Sequence, residues 1–324
     1  MKATHLKRRE LWPLALWAVA PAAWADNTYP SKPVRIVIPY PAGGPPDLMA
    51  RLLAERLQQR RKQPFVIDNK AGAGGNIGAD AVSRAPADGH TLLLSAAGPL
   101  SVNSLLYNKL PYDPAAFVPI AIVSKSYSAL VVNPALKIRT VEDLIAYAKA
   151  HPGTLNYGSS GPGSTPQLAA ELFKGLAGVD IAHVPYRGSA PALTDVIAGN
   201  VQMMFVELSL ARPQIRAGKV RLLAIGSERR RGSLPDVPAV SETLPGFVSV
   251  TWFGLAAPPQ TPPGIAATLS RAVADVLAQP DMAARFAEVD GEPGGGTPED
   301  VTRFIAQERA RWSQVITANR ITAE

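Results

Sequence analysis

The fold is decided by residues 34–47, which read VRIVIPYPAGGPPD. The first five residues are mostly β-branched and apolar, which is typical of a buried strand, and the next eight form a loop rich in proline and glycine. From Asp47 onward apolar residues return at helical spacing, at Met49, Leu53 and Leu57. The segment therefore predicts a strand, a loop and a helix in direct succession.

The same succession recurs along the chain. Residues 65–68 predict a second strand, which leads through the glycine loop at 72–75 into a helix from Ile77, and residues 91–95 predict a third strand. Successive strand-loop-helix units favour an α/β fold in which helices cover both faces of a parallel sheet.

The remaining segments continue the alternation. Apolar extended runs are predicted at 121–123, 129–132, 155–157, 182–185, 201–206, 220–225 and 248–256, and helices at 140–151, 165–176, 190–198 and 208–217. Three C-terminal helices are expected to begin near Pro263, Pro280 and Pro298, because proline fits the first turn of a helix.

The first 25 residues are predicted to be a cleaved export signal. Four basic residues lie between positions 2 and 9, an uncharged apolar stretch covers 11–22, and a small-x-small site ends at Ala25. A membrane anchor is the alternative, but the stretch is too short to span about 30 Å of hydrocarbon and contains Pro13 and Pro21. We therefore expect an exported protein cleaved after Ala25; the family resemblance described below places it in the periplasm.

Composition excludes several classes of protein. Apolar residues make up 47% of the 324 residues and charged residues 18%, which excludes wholesale disorder. The net charge is +7, of which the predicted signal carries +3 from four Lys or Arg and Glu10, so the remaining chain carries +4. Basic residues are dispersed apart from runs at 60–62 and 229–231, and aromatic residues are only 6%, so we expect no nucleic-acid partner. The chain has no cysteine, which excludes disulfides and thiolate chemistry.

Enzyme signatures are incomplete. The four histidines lie far apart and form no two-histidine metal spacing. Pro162 stands where a nucleophile elbow needs its second glycine, and Ile77 stands where a dinucleotide loop needs its third. We therefore predict no catalytic residue, no metal and no cofactor.

Three loops of small residues instead point to anion binding. They lie at 41–44, 72–75 and 159–165, each between a predicted strand and a helix start. The first N–H groups of a helix have no intrahelical acceptor, and the helix dipole adds positive potential there. In open α/β sheets such loops meet at the carboxyl ends of the strands. Together they predict a cleft that receives a carboxylate without a metal.

At this point the sequence resembles a known family, the periplasmic receptors of tripartite tricarboxylate transporters, also called Bug-type receptors. The resemblance covers nearly all of the chain after the signal and rests on ordered motifs. These are YPSKPVR at 29–35, YPAGGPPD at 40–47, DNKAGAGGNIG at 68–78, ADGHTL at 87–92, LPYD at 110–113, LNYGS at 155–159, HVPYRG at 183–188, LPDVP at 234–238 and WFG at 252–254.

The resemblance implies a periplasmic binding protein of type II, a Venus flytrap with two α/β lobes and a ligand cleft between them. It places lobe 1 at 26–125 plus 252–324 and lobe 2 at 126–251, with Val123 and Trp252 on the hinge strands. It also implies a monomer that delivers a small carboxylate to the membrane components of a transporter. The implied ligand contacts are Tyr40, Ala42, Gly43, Gly44, Gly72, Ala73, Gly74, Gly75, Asn76, Ser159, Ser160, Ser164, Thr165, Tyr186, Arg187 and Glu207.

Three positions depart from the family pattern. Gln167 stands where many members carry His, His90 where they usually carry Tyr, and Glu207 where amino-acid receptors tend to carry Asp. If Glu207 faces the cleft, it repels a second carboxylate and favours an ammonium or hydroxyl group. We therefore favour an amino acid or hydroxy acid over a tricarboxylate.

Several alternatives stay open. Asp47 either orients the first loop or stabilises its helix through the dipole, and Arg187 and Glu207 face either the ligand or water. An exported enzyme acting on a carboxylic acid would use Ser159, Ser160 or Glu207 as its reactive group, with His183 as the base. A ligand sensor that docks to a signalling partner would close in the same way as a transport receptor.

Overall fold

The computed structural model describes residues 29–288 and 290–322. The predicted export signal and its cleavage site lie outside these residues. The strands in the described part are β1 Val34–Ile38, β2 Phe65–Asn69, β3 Thr91–Ala96, β4 Val118–Val132, β5 Asn156–Ser159, β6 Ala182–Pro185, β7 Met203–Glu207, β8 Arg221–Ile225, β9 Val250–Ala257 and β10 Glu292–Gly295. The helices there are α1 Pro45–Arg61, α2 Asn76–Ser83, α3 Asn103–Leu106, α4 Val141–Ala150, α5 Thr165–Ala177, α6 Ser189–Ala198, α7 Leu208–Arg216, α8 Val240–Thr243, α9 Pro263–Leu277, α10 Pro280–Ala287 and α11 Pro298–Asn319.

Two groups of strands share the long strand β4. In the first group, β1 pairs in parallel with β2 and β3, β9 runs antiparallel between β3 and β4, and β10 pairs with β4. In the second, β5 pairs in parallel with β6 and β7, while β7 and β8 run antiparallel to β4. The first group and its helices form the first lobe, and the second group and its helices form the second lobe.

The crossing between the lobes differs from the sequence prediction in one respect. The runs predicted separately at 121–123 and 129–132 belong to one strand of 15 residues. The polar residues between them stay extended because β9 pairs with them, for example Thr251 with Ser126 and Val250 with Tyr127. The predicted lobe boundaries at 125/126 and 251/252 fall within β4 and β9 and stay a prediction.

Each lobe has apolar layers on both faces of its sheet. In the first lobe, α1 buries Met49, Leu53 and Leu57 against one face, as the helical spacing predicted. Phe173 of α5 and Phe205 of β7 belong to the main core of the second lobe. Burial of such side chains stabilises each lobe by about 1.5–3 kcal/mol per residue.

Helix starts follow the sequence closely. The helices α9, α10 and α11 begin at Pro263, Pro280 and Pro298, which confirms the three proline starts. Helix α1 begins at Pro45, two residues before the predicted start, because prolines suit its first turn. The sequence does not predict strand β10, because EPGG contains no β-branched residue. Pairing with β4 is what keeps this segment extended.

A buried carboxylate ties α11 to the crossing strands. Glu308 is 1% exposed and accepts hydrogen bonds from the indole N–H groups of Trp252, at 3.3 Å, and Trp312, at 3.1 Å. Arg311 pairs with its other oxygen at 2.9 Å. The carboxylate therefore satisfies buried donors from two elements at once.

Two ion pairs also bridge the lobes. Arg212 of α7 pairs with Asp290, and Arg231, which follows β8, pairs with Glu292 at the start of β10. Within residues 29–288 and 290–322, no helix is long and apolar enough to cross a membrane.

Replacing Glu308 with Ala is expected to destabilise the protein by about 3 kcal/mol, because it leaves two indole donors and a guanidinium without their acceptor. Denaturant unfolding monitored by circular dichroism measures the change. The matched control is Gln307→Ala, one residue earlier on the exposed face of α11, which should change stability by less than about 0.5 kcal/mol. Equal stability of the two variants would contradict the role of Glu308.

Candidate functional site

The strand-end loops of the two lobes face each other. The carboxyl ends of β1, β2 and β3 lie on one edge of the first lobe, and those of β5, β6 and β7 on one edge of the second. Gly163, in the loop after β5, lies so close to Leu106 of α3 that a Cβ atom there would clash with it. This contact brings the two edges to opposite sides of one cleft.

The first loop is held open by bonds within its own lobe. The Tyr40 hydroxyl lies 3.3 Å from Ser95 Oγ and accepts a hydrogen bond from the Ala96 N–H at 3.3 Å. Ala42 and Gly43 are exposed, and Gly44 precedes the helix. Pro45 and Pro46 have no N–H, so the start of α1 offers fewer donors than the sequence pattern suggested.

Asp47 fixes the shape of this loop. Its side chain is buried and accepts the Gly43 N–H at 3.0 Å as well as two hydrogen bonds from Arg51, at 2.9 and 3.0 Å. Hydrogen bonding from Arg51 lowers the pKa of Asp47 below its usual range. The bond to Gly43 favours the hypothesis that Asp47 orients the loop.

The glycine loop presents free amides to the cleft edge. A 3₁₀ turn covers Ala73–Gly75, in which Gly75 donates to Gly72 and Asn76 donates to Ala73. The N–H groups of Ala73 and Gly74 open that turn and therefore have no acceptor within it. Gly74 has φ +63°, and a Cβ atom there would lie 2.6 Å from the Tyr107 hydroxyl, so only glycine fits.

The Asn76 side chain holds the loop from behind. It is 5% exposed, and its Oδ1 accepts hydrogen bonds from Asn103 Nδ2 at 2.6 Å and from the Tyr112 hydroxyl at 2.9 Å. Asn103 also donates to the Gly74 carbonyl at 3.3 Å. Of this network, the sequence pointed to Asn76 and Gly74 as site residues but not to Asn103 and Tyr112, which lie 27 and 36 residues from Asn76 in the chain.

Ser159 is fully buried at the base of the second-lobe loop. Its Oγ accepts the Gly161 N–H at 3.1 Å, lies 3.3 Å from the Gly161 carbonyl and lies 2.7 Å from His183 Nε2. The hydroxyl therefore holds the loop together and has no exposed surface from which to reach a ligand.

Gln167 determines which nitrogen of His183 carries the proton. Its Oε1 accepts the Gly163 N–H at 2.6 Å, which leaves its Nε2 as the group 3.3 Å from His183 Nδ1. An amide nitrogen only donates, so Nδ1 is the acceptor and the neutral ring carries its proton on Nε2. The Nε2–H group therefore donates to Ser159 Oγ, and the Ser159 hydroxyl donates to the Gly161 carbonyl.

The other hydroxyl groups of the second-lobe loop differ in whether they already form a hydrogen bond within the protein. The Ser164 hydroxyl donates to the Gly161 carbonyl at 2.6 Å. Ser160 and Thr165 are partly exposed, and their hydroxyls make no hydrogen bond to any described residue. These two hydroxyls are therefore available to a ligand.

The loop after β6 carries an aromatic group and a cation. The Tyr186 hydroxyl donates to Asp195 at 2.6 Å, and burial together with that carboxylate raises the pKa of Tyr186 to about 12. Arg187 is exposed and forms no hydrogen bond or ion pair with the described part of the chain. Its charge is therefore free to meet an anion.

Glu207 ends β7 opposite Ser128 of β4. Its position at the carboxyl end of a strand confirms the sequence prediction, and its side chain is partly buried. Among residues 29–288 and 290–322 it has no hydrogen-bond or ion-pair partner. Across the same range, no three His, Asp or Glu side chains converge as metal ligands would.

Comparisons with known proteins agree on one family. A family model described as "Tripartite tricarboxylate transporter family receptor" matches residues 49–321. Protein BugT of Bordetella pertussis is 39% identical over 306 residues, 94% of each chain. The solved structure of Rpa4515 from R. palustris with adipate is 39% identical, with a TM-score of 0.81, over 91% of this chain and 99% of that one. MatC (Rpa3494) from Rhodopseudomonas palustris with bound malate is 32% identical, with a TM-score of 0.76, over 89% and 100% of the two chains.

The buried His183 predicts a pH dependence of stability. Burial lowers the pKa of His183 below the usual 6.5, because desolvation disfavours the charged ring. A charged ring would also place a second N–H against the Gln167 amide. The stabilising contribution is complete above pH 6.5 and decreases as the pH falls through the lowered pKa. The free energy of unfolding, measured from pH 7.5 to 5, should therefore decrease less in His183→Gln than in the wild type.

The control is His151→Gln, which removes an exposed histidine outside the network of Ser159 and Gln167. The smaller decrease should be specific to His183→Gln. Identical profiles for wild type and His183→Gln would contradict the assignment of the neutral ring.

Proposed function

The chain belongs to the tripartite tricarboxylate transporter receptor family, and we propose that it binds a small aliphatic dicarboxylate between its two lobes. The observation that carries this proposal is the pair of facing loop edges with free donors on both. Ala73 and Gly74 supply unpaired amides from the first lobe, and Ser160 and Thr165 supply hydroxyls from the second. Solute-binding proteins of this family serve a tripartite transporter, and the cleft is the place for the solute.

One ligand carboxylate is expected to lie between these donors. A hydrogen bond from an amide or hydroxyl to a charged oxygen contributes about 1.5–3 kcal/mol. Because donors from both lobes bind the same carboxylate, the ligand stabilises a closed arrangement of the lobes. The binding therefore needs no metal and no lysine.

A second carboxylate is proposed to lie near Arg187. This side chain is exposed and unpaired within the described residues, at the carboxyl end of β6. In the second sheet β5 separates β6 from β7, which places the ends of these strands two strand spacings apart, about 10 Å. A carboxylate near Arg187 can thus avoid Glu207. The relatives bound to adipate and malate support a ligand of this length.

An amino acid is the second candidate, and unpaired Glu207 is the observation that favours it. A partly buried carboxylate gains more from an ammonium or hydroxyl donor than from water alone. The same position would also accept the hydroxyl of a hydroxy acid. The choice between these ligands rests on the charge at Glu207.

Turnover of the ligand is not part of the proposal. Ser159 is buried, and the proton on His183 Nε2 points at its oxygen, so this nitrogen cannot accept the serine proton. Ser160 and Glu207 have no hydrogen-bonded base in the described part of the chain. These contacts support a receptor over the alternative of an exported enzyme.

The cellular setting follows from the family and the sequence. We propose export to the periplasm with cleavage after Ala25, a monomeric receptor, and docking to the membrane components of a tripartite transporter. Co-purification of the closed receptor with those components would support transport. Capture of a sensor kinase in their place would favour the sensor alternative.

Removing a cleft hydroxyl tests the carboxylate site. Thr165→Val keeps the side-chain shape but removes the donor, so affinity for adipate or malate should fall about tenfold, the equivalent of about 1.4 kcal/mol. Isothermal titration calorimetry measures the affinity. The control Thr302→Val changes an exposed threonine of α11 and should bind like the wild type. The cleft site is contradicted if the two variants bind alike.

The charge at Glu207 is tested with a matched ligand pair. Adipate and 2-aminoadipate differ by one ammonium group. In Glu207→Gln, 2-aminoadipate should bind more weakly by about 1–3 kcal/mol if its ammonium meets this carboxylate, whereas adipate should bind equally or more tightly. Calorimetry with both ligands decides between the two candidates, since tighter binding of 2-aminoadipate by the variant would exclude an amino acid at this position.

A further inference from the structure

A second cavity lies at the hinge, apart from the cleft. It encloses about 460 Å³ and shares no residue with the strand-end loops. Its walls come from Lys125 and Tyr127 of β4, from residues 227–231 after β8, from Val248 and Val250 at the start of β9, and from α11. This volume is within the range of small-molecule sites, about 300–1,000 Å³.

The lining of this hinge cavity is strongly basic. One lysine and four arginines line it, against two glutamates. Three of the arginines already pair with carboxylates, of which Glu308 lines the cavity and the other two lie outside it. Arg230 pairs with Glu242 at 2.9 Å, Arg231 with Glu292, and Arg311 with Glu308 at 2.9 Å.

Two cations of the hinge cavity form no ion pair in the described part of the chain, although the charge of Lys125 also acts on the nearby Glu308 carboxyl. Lys125 is partly buried, and its Nζ lies 4.5 Å from the centre of the Phe304 ring, a contact that leaves its N–H donors unused. Arg229 is exposed at the rim, and its side chain makes no ion pair. Such charges attract an anion into a confined site.

The two glutamates do not cancel this potential. Glu308 is buried and already accepts hydrogen bonds from the indole N–H groups of Trp252 and Trp312. Glu228 is exposed at the rim, where solvent screens it. The lining holds five cations and two carboxylates, and the ion-pair partners Glu242 and Glu292 offset two of the arginines, which leaves a formal charge of +1.

Apolar groups line the cavity beside the free cations. Phe304, Val248 and Val250 are each only partly buried in the structure. We propose that the hinge cavity binds a small organic anion, with its charged group at Lys125 and Arg229 and its hydrocarbon part against these three side chains. A site of this chemistry is separate from the carboxylate site of the cleft.

The position of the cavity couples its occupant to the lobes. Lys125 lies on the crossing strand β4, Arg229 belongs to the second lobe, and Phe304 belongs to α11 of the first. A rotation about the crossing strands changes the distances among these groups. An anion that fits one arrangement better will shift the lobes towards it.

Calorimetric titration of the full chain with benzoate and with inorganic phosphate tests the site. Benzoate should bind more tightly than phosphate, because only benzoate fills the apolar part. Lys125→Met and, separately, Arg229→Gln should each weaken benzoate about tenfold. Arg229 is exposed, so its variant keeps the fold if Lys125→Met does not. Lys149→Met, an exposed lysine of α4, is the control for loss of one positive charge.

Thr165→Val separates the two sites, since it changes the cleft but not the hinge cavity. Benzoate binding that is unchanged in Thr165→Val and weakened in the hinge variants supports the proposal. Absence of benzoate binding, equal or tighter binding of phosphate, an equal loss in Lys149→Met, or a loss confined to Thr165→Val would each overturn it. None of these outcomes depends on whether adipate or malate binds in the cleft.

Discussion

The structure depends on one backbone constraint, the continuous pairing of β4. A buried strand must find hydrogen-bond partners for every N–H and C=O group, and no single sheet here supplies them along all 15 residues. Residues 118–127 of β4 are paired by β9, and in part by β10, whereas residues 128–132 are paired by β7 and β8. The two lobes therefore meet on one strand, and any movement between them must bend β4 and β9.

The need to satisfy hydrogen-bonding groups also shapes the cleft. Many polar groups of the strand-end loops already bond within their own lobe, as Ser159, Ser164 and the Gly43 N–H do. Those bonds fix the loops before a ligand arrives, which reduces the entropy lost on binding. The few groups left over, such as the Thr165 hydroxyl, are those that we propose to bind the ligand.

Sequence patterns predicted the local structure better than the bonding. Strands β1 and β3 and the proline starts of α9 to α11 follow from period and propensity, which act over a few residues. The continuity of β4 and the existence of β10 depend on pairing with distant strands. The polar residues 124–126 therefore looked like a break in β4, and the glycines of 292–295 gave no strand pattern for β10. For the site, the sequence located the loops. It could not show which polar groups already have hydrogen-bond partners within the protein. Ser159 bonds to His183, 24 residues away, and Asn76 bonds to Asn103, 27 residues away.

The two proposed anion sites differ in the chemistry of their binding groups. A transport receptor must release its ligand, and neutral amides and hydroxyls at the carboxylate keep the net attraction moderate. A few such bonds, each of about 1.5–3 kcal/mol before the cost of association is subtracted, give reversible binding rather than permanent capture. Ion pairs dominate at the hinge instead, where Arg231 joins Glu292 across the lobes and Arg311 covers Glu308. Paired charges thus join the two lobes at the hinge, whereas the proposed site for the first ligand carboxylate uses neutral donors.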